Sequence, residues 1–222
     1  MAKLIELDSI QVKQVSKAYY FFKRTADLLI SIIGLLLIGW FLLIMSLIIV
    51  CTSKGHAIYF DKRIGYKGKK INVLKFRSMY SDANTNLVKY LTPEQIKQFE
   101  IERKVNNDPR ITPVGRFIRK TSIDELPQLL NIFIGNMSLV GPRPITKEEL
   151  NQHFTDKQKE ILLSAKPGLT GNWQVSGRNN LEFDDGERQK VELNYFTFRS
   201  LGQDIKILFK TVPVVLKHKG AK

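Results

Sequence analysis

A chain of 222 residues is long enough for one ordinary domain with a modest core and room for an appendage. Its 35 Lys and Arg against 21 Asp and Glu leave a net charge of +14, which calls for an anionic partner: nucleic acid, an acidic membrane surface or a phosphorylated substrate. The one cysteine, Cys51, excludes an internal disulfide framework and a cysteine-based metal cluster, and His56, His153 and His218 lack metal-ligand spacing.

Residues 1–22 are mixed in polarity and end in Tyr19, Tyr20, Phe21 and Phe22, aromatics suited to a membrane interface. From Leu28 to Val50 no residue is charged. At ~1.5 Å per residue this run makes roughly 34 Å of helix, enough for a ~30 Å hydrocarbon core. It is too long, starts too late and lacks the small-residue cleavage site of a signal peptide. Lys13, Lys17, Lys23 and Arg24 precede it, and Lys54, Lys62, Arg63, Lys67, Lys69 and Lys70 follow it. Basic flanks on both sides place both ends on the cytoplasmic face, which a single span forbids. A re-entrant helix hairpin resolves the conflict, with Gly34 and Gly39 at the break and Ser31 and Ser46 bonding the freed carbonyls. A plain transmembrane helix is the alternative.

Beyond the membrane segment, "AIYF" (57–60) and "INVLKFRSM" (71–79) read as strands joined by the turn "RIGYKGKK". The glycine and lysine spacing of that turn is wrong for a P-loop. A short helix is expected after Thr92-Pro93, then consecutive helices over "GRFIRK" and "SIDELPQLLNIF", and one from about Lys147 to Ala165. Residues 166–180 carry four Gly or Pro and read as a loop too long for a simple connector. Two helices close the chain, roughly Asp184–Phe198 and Leu201–Lys217, the latter basic and amphipathic with Ser200 and Gln203 as its capping box. Such a helix packs on a core or lies on an anionic bilayer.

The chemistry concentrates in "TSIDELPQLLN" (121–131). Ser122 followed by Glu125 has the spacing of a capping box, and Asp124 and Glu125 would suit a first helical turn. Arg116, Arg119 and Lys120 lie just upstream, and Arg143 stands between Pro142 and Pro144 downstream. Guanidinium groups converging on a helix start make a phosphate site, and a carboxylate there would need screening by those arginines or by Mg²⁺.

Taken together, "KRTADLL", "KFRSM", "DPRITPVGRFIRKTSIDELPQLLNIFIGNMSLVGPRP", "KPGLTG" and "QVSGRN" make the chain after Lys23 resemble the bacterial sugar transferases, small monotopic phosphoglycosyl transferases. The resemblance implies transfer of a sugar-1-phosphate from a UDP-sugar to undecaprenyl phosphate, releasing UMP, as the first membrane step of capsule, exopolysaccharide, O-antigen or glycoprotein glycan assembly. Asp124 matches the family's nucleophile, which forms a covalent phosphosugar intermediate, and Glu125 its Mg²⁺ ligand. Arg119 and Arg143 match phosphate-binding arginines, Arg178 and Asn179 the nucleotide-sugar loop, and Lys23, Arg24 and Asp27 the positions that set the membrane helix. Lys75 and Arg77 fall in a family motif to which no role is assigned. The implied fold is a mostly helical α+β monotopic membrane protein: an interfacial segment (1–22), a re-entrant helix hairpin (23–53) and a small cytosolic catalytic domain (54–222) with a short β-hairpin. Its implied place is the bacterial inner membrane, catalytic domain on the cytoplasmic face, with anionic phospholipid and a second copy as further partners.

Two departures stand out. Gly39-Trp40 occupies the place of the family's helix-breaking Ser-Pro, which removes the steric reason for a kink. Asn172-Trp173 changes the order expected in the loop that meets the nucleotide sugar, with an expected effect on sugar preference. The chain shows no additional multi-span amino-terminal region and is expected to be the minimal catalytic form. A nucleic-acid binder would need a binding motif or a basic stripe with stacking aromatics, and neither is present. A non-enzymatic membrane scaffold of a glycan assembly complex is the other alternative, separable because it would tolerate loss of Asp124 and Glu125.

Overall fold

The computed structural model describes residues 11–102, 105, 107–176 and 186–216. It is a mostly helical α+β structure with two small sheets and one long apolar helix.

That helix, α1 (Lys17–Thr52), is 36 residues long and unbroken. Ser16 caps it, its Oγ accepting the Tyr19 N–H at 3.2 Å. The hairpin break expected at Gly34 and Gly39 is not formed. Glycine lowers helix propensity by only about 1 kcal/mol, and the surrounding leucines and isoleucines carry the helix through. Ser31 and Ser46 bond the carbonyls of Leu28 and Leu42, at 3.0 and 2.8 Å. Trp40 donates its indole N–H to the Leu37 carbonyl at 2.8 Å, so this exposed side chain brings its own acceptor into an apolar setting.

The helix is gripped by one body along its length. Near its start, Arg24 donates to the carbonyls of Ile132 and Phe133 at 2.7 and 2.8 Å, capping the last turn of α5 (Gln128–Ile134). Asp27 is buried, accepting the Ser138 hydroxyl and the Leu139 N–H of strand β3 (Ser138–Val140). Lys23 and Tyr19 both bond Asp204, which also accepts the Tyr195 hydroxyl. Further along, Met45 and Ile49 pack with Phe76 and Ile118. At the end, Arg77 donates to the carbonyls of Ser53, the C-cap, and of Lys54 and Gly55 just beyond it, so a guanidinium fixes the exit of the chain from the helix. The opposite side of α1 exposes Leu29, Ile33, Leu36, Leu37, Trp40, Leu43, Leu47 and Val50.

After α1 come antiparallel strands β1 (Ile58–Ile64) and β2 (Lys70–Phe76), with Asp61 opposite Val73 and Arg63 opposite Ile71. Helices α2 (Leu87–Tyr90), α3 (Pro93–Glu102) and α4 (Pro113–Lys120) follow. Thr92 and Gln95 exchange the reciprocal bonds of a capping box at α3. Asn131 of α5 closes the free edge of β2, accepting the Leu74 N–H at 2.8 Å and donating to the Asn72 carbonyl at 2.7 Å. The single helix expected over Lys147–Ala165 is two: α6 (Lys147–His153) and α7 (Asp156–Leu162). Thr146 with Glu149 and Thr155 with Gln158 form two capping boxes, and the second restarts the helix after Phe154 turns extended into the core.

Strand β4 (Gly168–Thr170) pairs in parallel with β3. A Cβ on Gly141 or Gly168 would collide with the other segment's backbone, so these two glycines let "GPRP" and "KPGLTG" touch. The short α8 (Asn172–Val175) leads on, and α9 (Glu187–Phe198) and α10 (Leu201–Leu216) complete the body. At α10 the Ser200 Oγ accepts the Gln203 N–H, but the Gln203 amide turns to Asn172 instead of closing a capping box. The main core gathers Val73, Ile132, Met137, Val140, Leu162, Leu193, Phe196 and Ile207.

Candidate active site

Asp124 and Glu125 lie on a one-turn 3₁₀ segment, Ile123–Glu125, between α4 and α5. The capping box expected of Ser122 and Glu125 is absent. Ser122 sits in the left-handed region at φ 57° with no side-chain cap bond, because it follows the end of α4 rather than starting a helix. A non-glycine residue there costs on the order of 1–3 kcal/mol, and such strain concentrates where a chain must present a side chain in one direction. The turn packs between α4 and β2, the strand that carries Lys75.

Burial pushes the Asp124 carboxyl up to about 6, and the neighbouring Glu125 charge adds to that push. Lys75 and Arg119 pull in the opposite direction without prevailing. Arg119 donates its Nε–H to the Ser78 hydroxyl at 2.8 Å, and burial lowers its affinity for its proton while Asp124 and Asp108 oppose this.

Glu125 opens onto a shallow cleft shared with Asp61, Arg63, Lys75, Gln128, Arg143, Trp173 and Gln174. The residue-two period of the hairpin puts Asp61, Arg63, Val73 and Lys75 on one face, and all four reach this cleft. Asp61 bonds Arg63 at 2.8 Å and pairs with Lys75 at 3.4 Å. Arg143 is held by several contacts, among them its N–H, which donates to Glu192 at 3.2 Å, and its guanidinium, which lies 5.2 Å over Trp173. Burial pushes the Glu192 carboxyl up to about 7, against that N–H bond and the charges of Arg143 and Arg188.

The structure thus brings Asp124 and Arg119 together, and Glu125 and Arg143 into one cleft. Lys23, Arg24 and Asp27 are at the joint between α1 and the body. Arg178 and Asn179 lie outside the described residues. Asp61, Arg63, Glu149, Arg188 and Glu192 were not signalled by any motif, and Gln128 was passed over inside one. Only strand alternation could have pointed to Asp61 and Arg63 beside Lys75. Glu149 reads in sequence as the helix cap that it also is. Lys75 and Arg77, adjacent but for Phe76, divide their labour: Lys75 faces the cleft and Arg77 fixes the exit from α1.

No group of three or more His, Cys, Asp or Glu able to hold a metal occurs among the described residues. The carboxylates that border the cleft are those of Asp61 and Glu125. That set fits Mg²⁺, which keeps several waters and takes one or two carboxylates plus substrate phosphates.

The chain is 46% identical over 214 residues to the undecaprenyl-phosphate galactose phosphotransferase of Salmonella typhimurium, covering 96% of this chain and 44% of that protein. It is 40% identical over 202 residues to the exopolysaccharide production protein ExoY of Sinorhizobium fredii, covering 90% and 87%. To the UDP-glucose:undecaprenyl-phosphate glucose-1-phosphate transferase of Escherichia coli it is 37% identical over 204 residues, covering 90% and 41%. The chain therefore spans less than half the length of the Salmonella and Escherichia relatives and most of ExoY. The family model for bacterial sugar transferases matches residues 18–218, and the chain belongs to that family.

Proposed function

We propose that this protein moves a sugar-1-phosphate from a UDP-sugar to undecaprenyl phosphate at the membrane surface, releasing UMP. The observation that carries the reading is a half-buried aspartate, its carboxyl pushed up to about 6, flanked by Glu125, Lys75 and Arg119, beside a cleft lined with arginines. In the first step an Asp124 carboxylate oxygen attacks the β-phosphorus of the UDP-sugar. The bond from that phosphorus to the bridging oxygen breaks and UMP leaves with the electron pair. In the second, an oxygen of undecaprenyl phosphate attacks the same phosphorus and the Asp124 carboxylate departs, leaving a sugar diphospholipid.

Lys75, Arg119 and Arg143 hold the phosphate oxygens and stabilise charge that develops on them. Ser78 aims Arg119, and Glu192 fixes the backbone of Arg143. Glu125 is the residue that would hold Mg²⁺, whose charge, when bound, offsets that of the diphosphate.

Undecaprenyl phosphate must be reached from a bilayer. Because one body contacts α1 from Tyr19 to Ser53, the helix is read as lying along that body with its apolar side in one leaflet. Exposed Phe117, Leu130, Phe133, Ile134, Ile205, Phe209 and Val212 extend the apolar surface. Both basic flanks then remain on the cytoplasmic side without a hairpin. The test is a panel of UDP-sugars with undecaprenyl phosphate and membranes containing the protein, read by UMP release with and without EDTA. Release with one or more sugars, abolished by EDTA, is expected. No release with any sugar would refute the reading, and release that survives EDTA would remove Mg²⁺ from it.

A further inference from the structure

Glu149 stands at the third position of α6, where it closes a capping box by accepting the Thr146 N–H at 3.0 Å. The same carboxylate meets three guanidinium groups from three different elements. Arg63 of β1 donates to one oxygen at 3.3 Å, Arg143 donates to the other at 3.4 Å, and Arg188 of α9 lies 3.9 Å away. Two of these arginines also stack on one ring, Arg143 at 5.2 Å and Arg188 at 4.8 Å from the centre of Trp173. Arg63, Arg143 and Trp173 all border the cleft onto which Glu125 opens.

Three guanidinium groups crowded together repel one another. Burial and the charge of Arg143 depress the Arg188 guanidinium to about 10, which registers that crowding. Each arginine also carries much rotamer freedom that must be lost before it can present a rigid fork. A single carboxylate among them offsets both costs. Despite its burial, Glu149 stays ionised, its pKa held down to about 2 by Arg143, the Thr146 N–H, Arg63 and Arg188.

We propose that Glu149 is a positioning residue for the donor: it holds Arg63, Arg143 and Arg188 as a preset cradle for a nucleoside diphosphate. This rests on the UDP-sugar reading above and adds Arg63 and Arg188 to the groups that bind the diphosphate. Its consequence is specific. Glu149→Gln removes the charge but keeps the cap, since Gln158 closes the equivalent box at α7 in this same chain.

The experiment uses the full chain in lipid nanodiscs, comparing wild type with Glu149→Gln by thermal unfolding, UDP binding by calorimetry, and transfer kinetics. The unfolding temperature is expected to change little. UDP affinity should fall and KM for the UDP-sugar rise about tenfold, the scale of one or two lost charge-assisted bonds, with kcat within about threefold. Arg188→Lys, which keeps the charge but loses the fork and the stack, should move KM in the same direction. It decides the matter if Glu149→Gln does not fold. Unchanged UDP affinity and KM would overturn the proposal. So would tighter UDP binding, which would make Glu149 a competitor for the arginines rather than their organiser. A wild-type protein that binds UDP more tightly than Glu149→Gln yet transfers no sugar would leave the cradle standing and remove the transferase reading.

Discussion

Two aspartates share one arginine-rich corner and have opposite fates. Asp108 is clasped by Arg110 through three side-chain bonds of 2.7–3.1 Å and accepts the Arg110 N–H as well. Burial would push its carboxyl up, but those bonds outweigh it and hold Asp108 below the usual carboxylate range. Asp124 also has an arginine for a neighbour, yet Arg119 spends its Nε–H on Ser78 and acts on Asp124 through charge. Its carboxyl consequently rises to about 6. A carboxylate fully committed to hydrogen bonds is a strut. One that is desolvated and not clasped by a guanidinium can attack a phosphorus.

The largest test of this contrast is Asp124→Asn. Transfer should fall at least about a thousand-fold, measured by UMP release, because the amide cannot serve as nucleophile. Stability should move the other way. A carboxyl whose folded pKa is raised favours the fold below its unfolded pKa and loses that contribution as pH rises through about 6. Above pH 7 the neutral Asn variant should therefore melt at a higher temperature than wild type, and a lower melting temperature at pH 8 would count against a desolvated carboxylate.

Asp108→Asn should show the reverse pattern, with stability lost first. Arg110 is 1% exposed and would keep a buried charge without its counterion, costing about 3–5 kcal/mol in denaturant unfolding. Transfer by the fraction that remains folded should be nearly normal.

The smallest effect is on pH dependence. If ionised Asp124 is required, kcat/KM should drop on the acid side with a midpoint near 6, about tenfold per pH unit below it. Lys75→Met removes a charge that lowers the Asp124 pKa, so the residual activity should have its acid limb displaced to higher pH. A limb that stayed in place would mean that another group controls it.

Local signals made part of the fold legible. The uncharged run from Leu28 to Val50 announced α1, and the turn "RIGYKGKK" joined two strands as expected. At Thr92-Pro93 the cap and its helix formed where the residues indicated. Other local signals lost to their surroundings. Ser122 and Glu125 have capping-box spacing, but α4 ends at Lys120 and Ser122 takes the chain through a left-handed turn. Phe154 splits a continuous helical pattern because the core claims its ring. The first outcome is not encoded within a few residues, whereas the second also has a local signal in the Thr155–Gln158 capping box.

By itself the sequence determined the apolar helix with its basic flanks, the Asp-Glu pair and the arginines near it, since each is a matter of residue type and short spacing. Tertiary structure decided what those groups are. Burial between α4 and β2 makes Asp124 titrate near 6, Glu149 reaches three arginines from β1, the "GPRP" segment and α9, and α1 lies against the body that carries the site. Desolvation and long-range charge depend on which surfaces meet, and that is settled only when the whole chain packs.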